Sequence, residues 1–219
     1  MVDRQQKEEK KGLIFCAAPE WDDAFAAARA KDADCILCAD GGYLRALSAG
    51  IEPDVLMGDF DSCAPEKVAH LEKLVFPVRK DDTDLILALR YMAEHGYQEV
   101  EVLGCFGGRQ DHAIGNIQSI LFGLTLGLRV TLADPRNRIF AVTQGVTEIP
   151  REENCYISFL CMGAPCEGVT LEGLSYPLQD AVLTAEFPLG VSNEFAEDAP
   201  CARITIRKGT LICVIAQKE

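Results

Sequence analysis

From Gly12 onward, short apolar runs alternate with longer segments whose apolar residues recur at helical spacing. GLIFCAA (12–18), CILCA (35–39), DVLMGDF (54–60), LVFPV (74–78), EVEVLG (99–104) and RVTLAD (129–134) read as strands. Between them the spacing predicts helices over 21–30, 43–49, 65–74, 82–95 and 112–126; in the fourth, Leu85, Leu89 and Met92 recur with Ile86 and Leu87 around the turn. Regular alternation of strand and helix predicts an α/β fold, a mostly parallel sheet with helices on both faces. After about residue 142 the helical segments stop. CYISFLC (155–161), GVTLEGL (168–174), AVLTAEF (181–187), ARITI (202–206) and TLICVIA (210–216) follow one another, punctuated by Gly, Pro and Asn. That pattern predicts a C-terminal antiparallel β-sandwich domain. The expected organisation is a charged flexible tail (1–11), an α/β domain (12–142) and a β domain (143–219), with Asn137–Val142 able to join either.

Composition narrows the class. The 219 residues are 48% hydrophobic and 25% charged, enough apolar surface to offset the ordering entropy of a packed fold. No apolar run approaches the roughly 20 residues of a membrane helix. MVDRQQKEEKKG is charged with no apolar segment behind it, so no export signal is visible and a cytoplasmic location is expected. A net charge of −13 opposes binding to a nucleic-acid backbone and suits metal ions or a cationic ligand. Ten cysteines, several inside apolar runs (Cys16, Cys35, Cys38, Cys105, Cys213), read as reduced, small hydrophobic residues. Cys35 and Cys38 have zinc-ligand spacing but lack a second pair, and the chain has three histidines.

Neither G-x-x-x-x-G-K-[ST] nor G-x-G-x-x-G occurs. Aspartates instead mark four predicted strand-to-helix junctions: Asp40-Gly41-Gly42; Gly58-Asp59-Phe60-Asp61; Lys80-Asp81-Asp82-Thr83-Asp84; and Gly107-Gly108-Arg109-Gln110-Asp111. In an open parallel sheet such loops gather at the carboxyl ends of the strands, where ligands bind. Gly41, Gly42, Gly107 and Gly108 lack a Cβ and would let phosphate approach backbone N–H groups. Asp59 and Asp61, two apart in an extended run, point to one side and offer paired hard oxygens to Mg²⁺. Arg109 offers a planar fork to phosphate oxygens and Lys80 a point charge. Each motif alone also has a purely structural reading: Asp at a helix start is commonly a cap, and Asp-Gly-Gly a turn. Crowded carboxylates, however, repel one another without a cation.

With ADGGYLRAL, PDVLMGDFDS, KDDTDLILAL and GGRQDHAIGNI in order, followed by GLSYPL (173–178) and GVSNEF (190–195), the sequence resembles the thiamin pyrophosphokinase family over about residues 38–195. The resemblance implies an N-terminal α/β domain, a C-terminal β-sandwich and a homodimer with the site between subunits. It implies Mg²⁺-dependent transfer of diphosphate from ATP to the thiamin hydroxyl, releasing AMP. It assigns Asp59, Asp61 and Asp84 to the metal and phosphate centre, with Asp111 beside them. Asp84 or Asp111 would accept the alcohol proton. Asp40, Asp81, Thr83 and Arg109 would position nucleotide or phosphates. Ser192 and Asn193 would contact thiamin, and Tyr176 falls at an aromatic position that stacks on it, where some relatives carry Trp. The alternatives are a related diphosphokinase acting on a hydroxymethyl pterin, and a nucleotide or thiamin sensor without turnover.

Overall fold

The structure, a computed structural model, describes residues 9–58, 72–75 and 82–218. The chain forms two compact units that divide between Pro135 and Arg136.

Among its described residues the first unit contains six parallel strands: β1 (Lys11–Phe15), β2 (Cys35–Ala39), β3 (Val55–Gly58), β4 (Glu72–Val75), β5 (Glu99–Leu103) and β6 (Arg129–Ala133). Among the described residues, four helices connect them: α1 (Asp23–Ala30), α2 (Gly42–Ser48), α3 (Asp84–Glu94) and α4 (Gln110–Thr125). The strand order is β4-β3-β2-β1-β5-β6. Strand alternation splits the sheet into two buried faces. Leu13, Phe15, Cys38, Leu56, Leu103 and Ala133 pack with Ala26 of α1 and with Tyr43 and Ala46 of α2. On the opposite face Gly12 lies against Met92 of α3, and Gly123 of α4 against Val130. Helices therefore cover both faces, as the alternation predicted.

Local signals explain the boundaries. Asp22 caps α1 by accepting from Phe25 N–H at 2.7 Å, so the helix begins two residues later than the sequence pattern suggests. Thr83 caps α3, its hydroxyl accepting from Ile86 N–H at 3.3 Å. Lys11, placed in the tail by its charge, opens β1 and pairs with Glu99. Glu72–Val75 is a strand, so the predicted helix over 65–74 cannot contain its last three residues; its remainder lies outside the described residues, as do 76–78 of the predicted strand.

The second unit is antiparallel: β7 (Asn137–Pro150), β8 (Cys155–Cys161), β9 (Cys166–Glu172), β10 (Leu178–Leu183), β11 (Gly190–Asn193) and β12 (Cys201–Gln217). Asn137–Val142 belongs to β7, which pairs with β12 along its length, from Pro150↔Cys201 to Asn137↔Ala216. The two predicted strands over 202–206 and 210–216 are one strand with a bulge between Ile206 and Thr210. Gly209 there has φ +110 and lies so close to Cys166 that a Cβ would meet its sulfur at 2.6 Å. The first half of β12 pairs with β9 and the second with β8, producing layers β10-β9-β12-β7 and β11-β8-β12-β7. Ile157, Phe159, Val169, Leu171, Ile204, Leu211 and Cys213 form the core of this sandwich. The nine described cysteines are free. Among the described residues no helix is long and apolar enough to cross a membrane.

Candidate functional site

In the first unit the strand order reverses beside β1: the chain runs outward to β4, then returns to place β5 on the other side of β1. The carboxyl ends of β1 and β5 are the switch point where open α/β sheets bind ligands. The two ends are joined backbone to backbone. Cys16 N–H donates to Leu103 O at 2.9 Å, Ala18 N–H to Gly104 O at 2.9 Å, and Glu20 N–H to Phe106 O at 3.2 Å. All four candidate glycines close on this segment. A Cβ at Gly42 would meet Phe15 O at 2.0 Å, one at Gly41 Ala17 Cβ at 3.0 Å, one at Gly107 the Glu20 Cγ at 2.9 Å, and one at Gly108 the Pro19 Cγ at 3.2 Å. Their missing side chains serve close packing of the junctions on residues 15–20. For Gly42, which is buried, that is the reason the structure supplies.

Around this platform stand the described polar candidates. Asp40 has φ +48, a left-handed conformation that Asp tolerates better than most residues, and its N–H donates to Met57 O at 2.7 Å. Asp84 occupies the first turn of α3, where the helix dipole favours a carboxylate. Burial, and next the neighbouring Asp84 carboxylate, push the Cys16 thiol up to about 12. This thiol stays protonated near neutrality and is no thiolate nucleophile. Arg109 precedes α4 and forks onto Asp111, at 3.1 Å through Nε and 2.5 Å through Nη2. That pairing holds the Asp111 carboxyl below its ordinary value. The stability associated with a lowered carboxylate pKa is present above the unfolded-state value and is lost as pH falls through the folded one. For so exposed a pair it is small. Arg109→Gln is expected to move the Asp111 titration upward, toward the ordinary value near 4, as followed by NMR of the carboxyl carbon.

In the second unit a cavity of about 420 Å³ is lined by Leu171, Tyr176, Leu178, Leu189, Gly190, Val191, Ser192 and Asn193. The three candidates from GLSYPL and GVSNEF thus meet at one apolar hollow. The Tyr176 side chain stands at its edge, the residue 69% exposed, while Asn193 is buried at 4%. Ser192 has φ +58, and its N–H donates to the Ser158 hydroxyl at 2.9 Å.

Asp59, Asp61, Lys80 and Asp81 lie outside the described residues. Among those described, the first unit gathers Asp40, Gly41, Gly42, Thr83, Asp84, Gly107, Gly108, Arg109 and Asp111 at strand-to-helix junctions, and the second gathers Tyr176, Ser192 and Asn193. Sequence reasoning missed Cys16–Glu20, the segment on which the glycines close, as well as two side chains that fasten the loops. Arg45 donates to Ala18 O at 3.1 Å, and Asn116 donates to Cys105 O at 2.8 Å. The available signal was the run of small residues, Cys-Ala-Ala-Pro, directly after the first apolar strand.

Two family models match, one on each side of the division between the units. Residues 27–132 match the thiamin pyrophosphokinase catalytic domain. Residues 146–211 match the vitamin B1 binding domain of thiamin pyrophosphokinase. Thiamine pyrophosphokinase of Bacillus subtilis is 34% identical over 181 residues, covering 80% of this chain and 84% of the relative. Among solved structures, thiamine pyrophosphokinase from Bacillus subtilis superposes with a TM-score of 0.85 at 29% identity, covering 96% of this chain and all of that one. The enzyme from Geobacillus thermodenitrificans gives 0.81 at 25% identity, covering 95% and 98%.

Proposed function

The chain belongs to the thiamin pyrophosphokinase family, and from that membership we propose that it transfers diphosphate from ATP to the hydroxyl of thiamin, giving thiamin diphosphate and AMP. One observation carries the reading: the two family domains match in order, one within each compact unit.

The first unit is the ATP-binding, catalytic half. Asp40, Gly41, Gly42, Lys80, Asp81, Thr83, Gly107, Gly108 and Arg109 hold nucleotide and phosphates. Asp59, Asp61 and Asp84 hold Mg²⁺. Carboxylates are the hard oxygen donors this ion takes, and the thiol beside Asp84 stays protonated, so no soft ligand competes there. When bound, the ion supplies neutralisation of phosphate charge. The protein's own contribution is positioning, because phosphoryl-type transfers need little covalent help. The thiamin oxygen forms a bond to the β-phosphorus, the bond from that phosphorus to the α,β-bridging oxygen breaks, and AMP leaves with that oxygen. Asp84 or Asp111 accepts the alcohol proton.

The second unit takes the thiamin ring. The hollow beside Tyr176, Ser192 and Asn193 is apolar with a few polar groups, as small-molecule sites are. An aromatic face at its edge suits the fixed positive charge of thiamin, at about 0.5–2 kcal/mol. The protein works in the cytoplasm as a homodimer.

The test is to incubate protein, Mg·ATP and a panel of alcohols, then separate the nucleotides. AMP formed with thiamin is the expected result. AMP formed only with a hydroxymethyl pterin, ADP as the product, or no nucleotide product would each overturn the reading, in favour of a pterin enzyme, a simple kinase or a sensor respectively.

A further inference from the structure

We infer that Asn193 is a positioning residue: its side-chain amide grips the backbone of Tyr176 and so fixes where the aromatic ring stands beside the cavity. The inference rests on the reading that thiamin binds there.

The chain on either side shows why a side chain is needed. Residues 174–176 run antiparallel to 193–195. Leu174 bridges Phe195, and Ser175 N–H donates to Glu194 O at 2.9 Å. Ala196 N–H donates to Gly173 O at 3.0 Å, so the hydrogen-bonded pairs here are 173/196 and 175/194, and the backbone of Tyr176, opposite Asn193, takes no bond from this ladder. The next bonded pair would be Pro177 with Ser192, but Pro177 has no N–H and the Ser192 N–H goes to Ser158. The Asn193 amide supplies what the ladder does not. Its Nδ2 donates to Tyr176 O at 2.7 Å, and its Oδ1 accepts from Tyr176 N–H at 3.0 Å and from Glu194 N–H at 2.9 Å. Both acceptor sites of the oxygen are thereby used. Turning the amide over would set its NH₂ against two N–H donors, so the network fixes the orientation. Pro177 follows and biases Tyr176 toward extended backbone. The ring itself, mostly exposed, has little packing to hold it, so the grip on its backbone is what determines its place. An amide committed to three internal hydrogen bonds at 4% exposure is poorly available to a substrate. Recognition is left to Ser192 and the Tyr176 ring.

A double-mutant cycle tests this with the full chain, reading AMP formation from Mg·ATP and thiamin. Asn193→Ala is expected to raise the KM for thiamin about tenfold, with a smaller fall in kcat and no comparable rise in the KM for ATP. Tyr176→Ala should raise the thiamin KM similarly, and the double variant should be no worse than the worse single one, because both remove the same placed ring. A double variant whose thiamin KM is the product of the two single effects would overturn the inference, since Asn193 would then meet the substrate independently. An unchanged KM in Asn193→Ala would also overturn it. If Asn193→Ala fails to fold, Asn193→Asp keeps the shape and the two accepted bonds, loses the donated one, and carries the same cycle. Amide exchange gives a readout free of turnover: the Tyr176 N–H should exchange at least tenfold faster in Asn193→Ala, and unchanged exchange refutes the grip. Absence of AMP from the wild-type protein would overturn the assigned reaction and the ring's task within it, while exchange would still decide whether Asn193 holds Tyr176.

Discussion

Asp84→Asn is expected to lower the rate of AMP formation by about 10²–10³-fold while the protein stays folded. The exchange is nearly isosteric and leaves the cap of α3 in place, because that bond is made by the Thr83 hydroxyl to Ile86 N–H. What is lost is one negative charge in the first turn of the helix. Its interaction with the dipole is worth about 0.3–1 kcal/mol, which at roughly 2–4 °C per kcal/mol for a chain of this size lowers the melting temperature by a few degrees at most. A structural cap residue would produce only that small shift. A carboxylate that organises phosphate charge, and takes the alcohol proton, would produce the large kinetic loss as well. The control is Asp82→Asn, whose carboxylate pairs with Arg90 at 3.4 Å on the surface and whose rate should be that of the wild type. The Cys16 thiol gives an independent check, because Asp84 is the second cause of its elevation after burial. In Asp84→Asn the Cys16 titration should fall somewhat yet stay above the ordinary thiol value. Turnover within threefold of wild type would remove Asp84 from the chemistry.

How far such a site can be read from sequence depends on what each residue must avoid. A parallel strand covered on both faces carries an apolar run, so β1, β2, β5 and β6 stand out against the helices between them. Aspartates directly after such runs are conspicuous for the same reason, which is why the junction residues were legible. The second unit was harder. β11 is the four residues Gly-Val-Ser-Asn, too short for alternation to register. Arg207-Lys208-Gly209 reads as a break, although two extra residues there make a bulge within one continuous strand. In LEKLVF the apolar positions fit a helix end and a strand start equally, and pairing with β3 decides for the strand. The segment at 16–20 was overlooked for an opposite reason: its run of small residues signals close packing rather than chemistry, and its importance lies in what closes upon it. In the sequence Asn193 stands out only as a polar residue of the GVSNEF block. Its commitment to the Tyr176 backbone depends on a ladder that only the folded chain defines.

That closing is testable at the glycine with the least room. Gly42→Ala is expected to destabilise the protein by about 3 kcal/mol, at or beyond the upper end of ordinary overpacking. At roughly 2–4 °C per kcal/mol the melting temperature would fall by roughly 6–12 °C. Gly42 is the first residue of α2, and helical backbone accepts alanine without strain, so conformation is not the cause. The cause is space. The new Cβ would sit 2.0 Å from Phe15 O and 2.7 Å from Phe15 C. These are backbone atoms in the central strand of the sheet, where Phe15 is fully buried and paired on both sides, so they cannot swing away as a side-chain tip could. Relief requires α2 to back off from β1. That movement drags Gly41 and Asp40 with it, so turnover should fall together with stability. Gly96→Ala supplies the contrast: φ is +79 and nothing lies within 4 Å of the new Cβ, so its cost is backbone strain alone, about 1–2 kcal/mol. If Gly42→Ala melted no lower than Gly96→Ala, the start of α2 would not be pressed against the end of β1. The junctions would then have some support other than residues 15–20.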